Sequence, residues 1–170
     1  MSQWVLGVGA RHGGRKAGLE LTVAIRDLRA EDFEQLWQLD QECFPPGISY
    51  SQLELRTYIH RRGAFTLVAH RSEAILGFIV AESDGRGSGH IITIDVSPKE
   101  RRSGVGSELL TTAEERLGAA DCRNIYLETA VNNMHALAFY KRHKYEIIKT
   151  ILRYYDNSLD ALRMVKRLNK

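Results

Sequence analysis

The stretch from Ile91 to Leu117, IITIDVSPKERRSGVGSELLTTAEERL, limits the possible folds more than any other part of the chain. An apolar strand runs into a basic, glycine-bearing turn and then into an amphipathic helix. In the helix, Leu109, Leu110, Ala113 and Leu117 recur on one face, while Glu108, Glu114, Glu115 and Arg116 point elsewhere. This apolar face predicts packing on a sheet. The turn Arg101, Arg102, Ser103, Gly104, Val105 and Gly106 falls at the helix start, where the first backbone N–H groups lack intrahelical partners and the macrodipole adds positive character. Gly104 and Gly106 carry no Cβ, so a bulky phosphate can approach the main chain. Lys99, Arg101 and Arg102 add charge at the rim. Together these features predict an anion cradle.

Two familiar phosphate-binding patterns fail on the residues. A P-loop requires Gly-Lys-Ser/Thr, and this turn has Gly106-Ser107-Glu108. A dinucleotide fingerprint requires a third glycine, and position 109 is Leu.

Charge argues for a local anion site over a nucleic-acid surface. The formal charge is +3, and Arg11, Arg15 and Lys16 supply all of it because no acid precedes Glu20. The remainder balances, and no aromatic platform is interleaved with basic residues, so no direct nucleic-acid binding is expected. The uninterrupted apolar runs are far shorter than the ~20 residues of a membrane span. Cys43 and Cys122 stand apart with no Cys or His at metal-ligand spacing, which predicts reduced core thiols, no metal site and a cytoplasmic protein. WVLGVGA at the start lacks a preceding basic residue and a cleavage region, so residues 1–20 read as a flexible leader before one domain over 21–168.

Taken in order, Leu21 to Leu28 alternates as a first strand, and Glu31, Asp32 and Glu34 favour a helix start whose buried face is Phe33, Leu36, Trp37 and Cys43. The run Phe44-Pro45-Pro46-Gly47 breaks that helix. Ser51 and Glu54 form a capping box for a second helix reaching about His60. Thr66 to His70 and Ala74 to Glu82 read as an antiparallel pair. His90 to Val96 is apolar enough to predict burial on both faces. Strand Asn124 to Thr129 follows the central helix. A helix from Asn133 to about His143 comes next, with Ala136, Phe139, Tyr140 and His143 on one face. Tyr145 to Tyr155 and Ala161 to Arg167 close the chain as strands. The order β-α-α-β-β-β-α-β-α-β-β predicts a three-layer α/β/α fold with a central mixed sheet.

The pattern Arg/Gln-x-x-Gly-x-Gly/Ala, present from Arg101 to Gly106, resembles the pyrophosphate loop of the GCN5-related N-acetyltransferases (GNAT). Leu127-Glu128, the run Asn133-x-x-Ala136-x-x-Phe139-Tyr140, and Tyr154-Tyr155 followed by Asp160-Ala161-x-x-Met164 resemble the RimI-type ribosomal-protein N-α-acetyltransferases of that superfamily. The resemblance covers roughly Leu21 to Leu168. The chain departs from the family at Lys144-Tyr145, where Gly-Phe is usual after the helix.

The resemblance implies acetyl-CoA as cosubstrate. It would be held along Ile94, Asp95 and Val96, at the Arg101 to Gly106 turn, and by Asn133 and Tyr140. It also implies that the sheet parts near Val96 to admit the pantetheine arm. Tyr140 becomes the proton donor to the leaving thiolate, since a hydroxyl with reference pKa near ~10 is protonated at neutral pH. Glu128 becomes the base, acting through water, with His90 sharing its task. The segment 44–50, with Phe44, Pro45 and Tyr50, and the pair Tyr154 and Tyr155 would grip a protein or peptide N-terminus. The resemblance leaves two rivals: acetylation of a small amine such as a polyamine or aminoglycoside, and a non-catalytic acyl-CoA-binding regulator. Oligomeric state is open.

Overall fold

In the computed structural model, residues 22–156 and 158–168 are described, and the 1–20 leader lies outside them. The strands are β1 (Ala24–Asp27), β2 (Ala64–Arg71), β3 (Ala74–Ser83), β4 (Ser88–Val96), β5 (Asn124–Ala130), β6 (Glu146–Ile151) and β7 (Ala161–Arg167). The helices are α1 (Phe33–Cys43), α2 (Gln52–Ile59), α3 (Val105–Ala119) and α4 (Met134–Arg142). The element order matches the expected one, apart from short 3-10 turns at Ala30–Asp32 and Pro98–Glu100.

The strands form one mixed sheet in the order β1-β2-β3-β4-β5-β7-β6. Among the described residues only β4 and β5 pair in parallel, and β7 inserts antiparallel between β5 and β6. Helices α3 and α4 cover one face around Leu109, Leu110, Ala113, Leu117 and Leu137. Helices α1 and α2 cover the other around Leu36, Leu39, Leu55 and Ile59. Leu109, Leu110 and Leu117 are fully buried, each worth about 1.5–3 kcal/mol relative to exposure. Gly77 lets α3 come this close, because a Cβ there would stand 2.6 Å from the Asp95 carbonyl oxygen and 3.3 Å from Leu109.

Several boundaries and faces differ from the sequence expectation. Among the described residues β1 ends at Asp27, short of the expected Leu28, while Leu21 lies outside them, and β6 ends at Ile151 because Leu152 and Arg153 turn the chain, Arg153 with a φ of 50°. Glu114 is buried, not solvent-facing, since Lys166 Nζ lies 2.5 Å away and the Tyr145 hydroxyl donates to it at 3.0 Å. Strand β4 alternates between buried and half-buried residues and is not sealed on both faces. Cys43 is half-buried while Cys122 is buried, and both thiols are free. The capping box of α2 forms as expected, with Glu54 N–H donating to Ser51 Oγ at 3.3 Å and Ser51 N–H to Glu54 at 2.8 Å.

Two features of β4 create the cleft. Its register against β3 steps from Val80↔Thr93 to Ala81↔Ile91, leaving Ile92 as a bulge. Its parallel pairing with β5 runs from Ser88↔Asn124 only to Ile91↔Leu127. Beyond that point β4 continues along β3 to Val96, and β5 continues along β7 to Ala130. Residues 92–96 and 128–130 therefore diverge, and the sheet opens between two parallel neighbours.

Candidate active site

The open end of β4 leads into the turn that precedes α3. Arg102 has a φ of 62° and Gly104 a φ of 96°, and both left-handed residues fold the chain back to start the helix. Gly104 is the N-cap, and no side chain caps the helix there. A Cβ on Gly104 would meet nothing within 4 Å, so the space above the first amides is clear. Those amides and the helix dipole suit a phosphate. Gly106 faces Phe139 and Val96 Cγ2, each 3.5 Å from where its Cβ would be. Arg101, Arg102 and Ser103 are exposed at the rim and Val105 is buried beneath it. The Arg101 Nε donates to the Val96 carbonyl at 3.4 Å, tying the turn to the end of β4. The turn thus fits the diphosphate of a CoA molecule, with the opening beside Ile94, Asp95 and Val96 leading away from it.

Tyr140 on α4 is buried, with its ring edge-on to Phe139 at 5.3 Å and to Tyr145 at 5.7 Å. Burial, then the charge of Asp95 and the neighbouring Tyr155, push its hydroxyl above the ordinary tyrosine range, so the proton stays on. Asn133, expected at the cofactor, caps α4: its Oδ1 accepts from Ala136 N–H at 3.1 Å. Asp95 is buried and accepts from the Thr93 hydroxyl at 2.7 Å, and burial followed by the charge of Asp40 holds its carboxyl well above the carboxylate range.

A row of charged side chains crosses the sheet beside the opening. Glu82 on β3 is the register partner of His90 on β4, and Glu128 on β5 is the register partner of Arg163 on β7. His90 Nε2 lies 2.6 Å from Glu128 Oε2, and His90 Nδ1 lies 3.6 Å from Glu82 Oε1. Arg163 Nε stands 3.1 Å from Glu128 Oε1, close enough for an ion pair but off-line for a hydrogen bond. Arg61, at the end of α2, pairs with Glu82 at 3.3 Å. Burial alone would raise the Glu128 carboxyl. The hydrogen bond and charge of His90, with Arg163 and Lys149, outweigh that and hold it below its ordinary value. An ionised Glu128 accepts only, so His90 Nε2 is the donor and Nδ1 of a neutral ring is left as an acceptor.

Tyrosines surround this row. The rings of Tyr50 and Tyr58 meet at a tilt of 55° with centroids 5.0 Å apart, and those of Tyr154 and Tyr155 meet edge-on at 5.0 Å. Burial raises Tyr50, Tyr155 and, to about 12, Tyr154. Tyr50 is raised further by Tyr58, Tyr154 and Tyr155, and Tyr154 and Tyr155 by Glu128, so the two pairs face one opening. Phe44 is half-buried and Pro45 exposed at the start of the segment that ends in Tyr50. The structure therefore gathers His90, Glu128, Tyr50, Tyr154 and Tyr155 around one opening, with Tyr140 within reach of both Asp95 and Tyr155. Glu82, Arg163 and Tyr58 were not singled out in the sequence. The first two emerge only from cross-strand register, and Tyr58 sits in a helix that offers no chemical motif.

The Acetyltransferase (GNAT) family matches residues 33–145. An uncharacterized N-acetyltransferase of Methanocaldococcus jannaschii is 32% identical over 144 residues, covering 84% of this chain and 90% of that protein. Human N-alpha-acetyltransferase 30 is 33% identical over 119 residues, which are 68% of this chain and 33% of the human protein, so the chain spans about a third of that relative. Among solved structures, Naa50 of Arabidopsis thaliana in complex with the bisubstrate analogue CoA-Ac-MVNAL has a TM-score of 0.75 at 27% identity, covering 87% of this chain and 100% of that one.

Proposed function

The chain belongs to the acetyltransferase (GNAT) family and is an acetyl-CoA-dependent N-acetyltransferase, and we propose that its acceptor is the N-terminal α-amine of a protein or peptide. The observation that carries this reading is the state of the acceptor-side carboxylates. Glu82 faces Arg61 and His90, and Glu128 faces His90 and Arg163. Neither is left to bind a polycation, whereas Tyr50, Tyr58, Tyr154 and Tyr155 offer the apolar, hydrogen-bonding walls that a peptide backbone uses. The names of the human relative and of the Arabidopsis complex support the same acceptor. A non-catalytic regulator would have no use for the charged row.

Acetyl-CoA supplies the acetyl thioester when bound. In this reading the Arg101 to Gly106 turn holds its diphosphate, and Ile94 to Val96 lie along the arm, where β4 has no strand partner on the β5 side. His90 Nδ1 takes the proton from the acceptor ammonium, directly or through a water, while Glu128 fixes the tautomer and Glu82 steadies the imidazolium that forms. This reverses the division of labour expected from the sequence, because a Glu128 held ionised by His90 and Arg163 is a poor base. Tyr140 holds its proton toward the leaving sulfur. An α-amine near ~7.7–8.0 loses its proton at pH 7 for ~1–1.4 kcal/mol, whereas a lysine near ~10.4 costs ~4.6. The modest base available here suits the first. The two free thiols, Cys43 and Cys122, fit a reducing cytoplasm, and the RimI-type motifs put ribosomal-protein N-termini first among acceptors to try.

The test compares one peptide, carrying a free N-terminus and an internal lysine, with its N-blocked twin under acetyl-CoA, with mass spectrometry locating the label. Acetylation of the free N-terminus alone is expected. Equal labelling of both on the lysine would refute the assignment.

A further inference from the structure

Asp40, in the last turn of α1, is fully buried and plays no part in the chemistry above, yet it makes the contacts that seat Tyr50. Its Oδ2 accepts the Tyr50 backbone N–H at 2.8 Å and the Gln41 amide at 2.9 Å. The same Gln41 amide donates to the Tyr50 carbonyl at 2.7 Å, and Trp37 Nε1 donates to that carbonyl at 3.1 Å. Both backbone groups of Tyr50 are thus gripped by α1 side chains across a segment containing Pro45, Pro46 and Gly47, the last with a φ of 89°. So held, the Tyr50 hydroxyl reaches the carbonyl of Ile92 at 3.5 Å, on the bulged residue of β4 where the sheet begins to open.

We propose that Asp40 is a positioning residue for the acceptor: it locks segment 44–50 so that Tyr50 stands at the mouth of the β4–β5 opening. The proposal rests on the reading of that segment as the acceptor wall. The second oxygen of Asp40, Oδ1, is buried without a partner among the described residues, a cost the side chain carries while its Oδ2 holds the Tyr50 N–H. Burial pushes its carboxyl up to about 6 against the pull of Tyr50 N–H and Gln41, with Glu54 of α2 adding to the rise. On β4, Asp95 faces it and is itself raised by Asp40. On α1, Cys43 lies within reach of the same Asp95 charge. An acid whose folded pKa lies above its unfolded one costs stability once ionised, and the cost is complete above about 6. Removing the charge while keeping an oxygen for the Tyr50 N–H should therefore stabilise the fold at pH 8 and do so less at pH 4.

The test uses Asp40→Leu and Asp40→Asn in the full chain, with whichever acceptor the wild type turns over, peptide or small amine. Asp40→Leu should raise the acceptor KM at least tenfold, leave the acetyl-CoA KM unchanged, and speed hydrogen exchange in 44–51 but not in α3. Asp40→Asn keeps an oxygen for the Tyr50 N–H. It should hold the acceptor KM within threefold of wild type and raise Tm more at pH 8 than at pH 4. Should Asp40→Leu fail to fold, Gln41→Ala carries the test, since from an exposed position it removes the donor shared by Asp40 Oδ2 and the Tyr50 carbonyl and must raise the acceptor KM alone. Equal loss in Asp40→Asn and Asp40→Leu, parallel rises in both KM values, or faster exchange in 44–51 with no change in acceptor KM would overturn the proposal. A wild type that acetylates only a small amine refutes the peptide reading and leaves this one to be judged by the KM split.

Discussion

The two sides of the cleft are built in different ways. The proposed cofactor side is a continuous piece of chain, β4, the Arg101 to Gly106 turn and α3, and it presents backbone: clear space at Gly104, first-turn amides without a side-chain cap and an open strand edge. The proposed acceptor side is assembled from side chains on β3, β4, β5 and β7, with tyrosines from two separate segments. A backbone device suits a ligand that stays the same and leaves little to vary. A side-chain device can change its acceptor through a few substitutions while the sheet stays as it is.

Tyr140 lies where the two sides meet, and breaking it should have the largest effect. Tyr140→Phe removes only the hydroxyl and keeps the ring, so turnover should fall by ~10²–10⁴-fold, the usual contribution of a general acid, with acetyl-CoA affinity unchanged. Calorimetry and steady-state kinetics together read this out. A variant with the wild-type rate would return Tyr140 to the core as an apolar ring.

This asymmetry also explains what the sequence revealed. Arg101 to Gly106 is contiguous, so its spacing alone could be tested against other phosphate loops. The His90–Glu128 contact, the Glu82–His90 pair and the Glu128–Arg163 pair depend on strand order, and β7 inserting between β5 and β6 leaves no mark in local periodicity. Glu114 was misassigned for the same reason. Its position on α3 looked polar and outward, but Lys166 of β7 and Tyr145 after α4 cover it. Asp40 belongs to no sequence motif, and only the return of Tyr50 over α1 gives it partners.

At the proposed cofactor turn, Gly104→Val should weaken acetyl-CoA binding by roughly 10–100-fold, the loss of one charge-assisted hydrogen bond at about 1.5–3 kcal/mol. A branched side chain is strained at a φ of 96° and fills the space over the first amides. Far-UV circular dichroism should stay native. An unchanged affinity would move the phosphate elsewhere.

On the acceptor side, the division between His90 and Glu128 can be measured. His90→Gln should cost more turnover than Glu128→Gln at pH 7, because the first removes the acceptor nitrogen and the second only its partner. Both losses should shrink toward pH 9, where an α-amine near ~7.7–8.0 is already neutral. The opposite ranking would restore Glu128 as the base.

The smallest effect lies outside both sides and checks that they are insulated from the scaffold. Helix α4 ends with Lys144 at a φ of 70°, a left-handed position usually filled by glycine. The Tyr145 N–H donates to the Tyr140 carbonyl at 3.0 Å and the Lys144 N–H to the Lys141 carbonyl at 3.0 Å, the paired bonds of a Schellman cap. Lysine holds this cap at a strain of roughly 1–2 kcal/mol. Glycine would relieve it while giving back about 0.5–1 kcal/mol through a freer unfolded chain. Lys144→Gly should therefore gain a few tenths to about 1 kcal/mol, seen as a Tm rise of ~1–4 °C for a chain of this length. Because the cap bonds and the Tyr140 ring are unchanged, both KM values and kcat should match wild type. A fall in Tm would mean that the lysine stem contributes packing that outweighs its backbone strain. An altered kcat would mean that the end of α4 sets the reach of Tyr140 into the cleft.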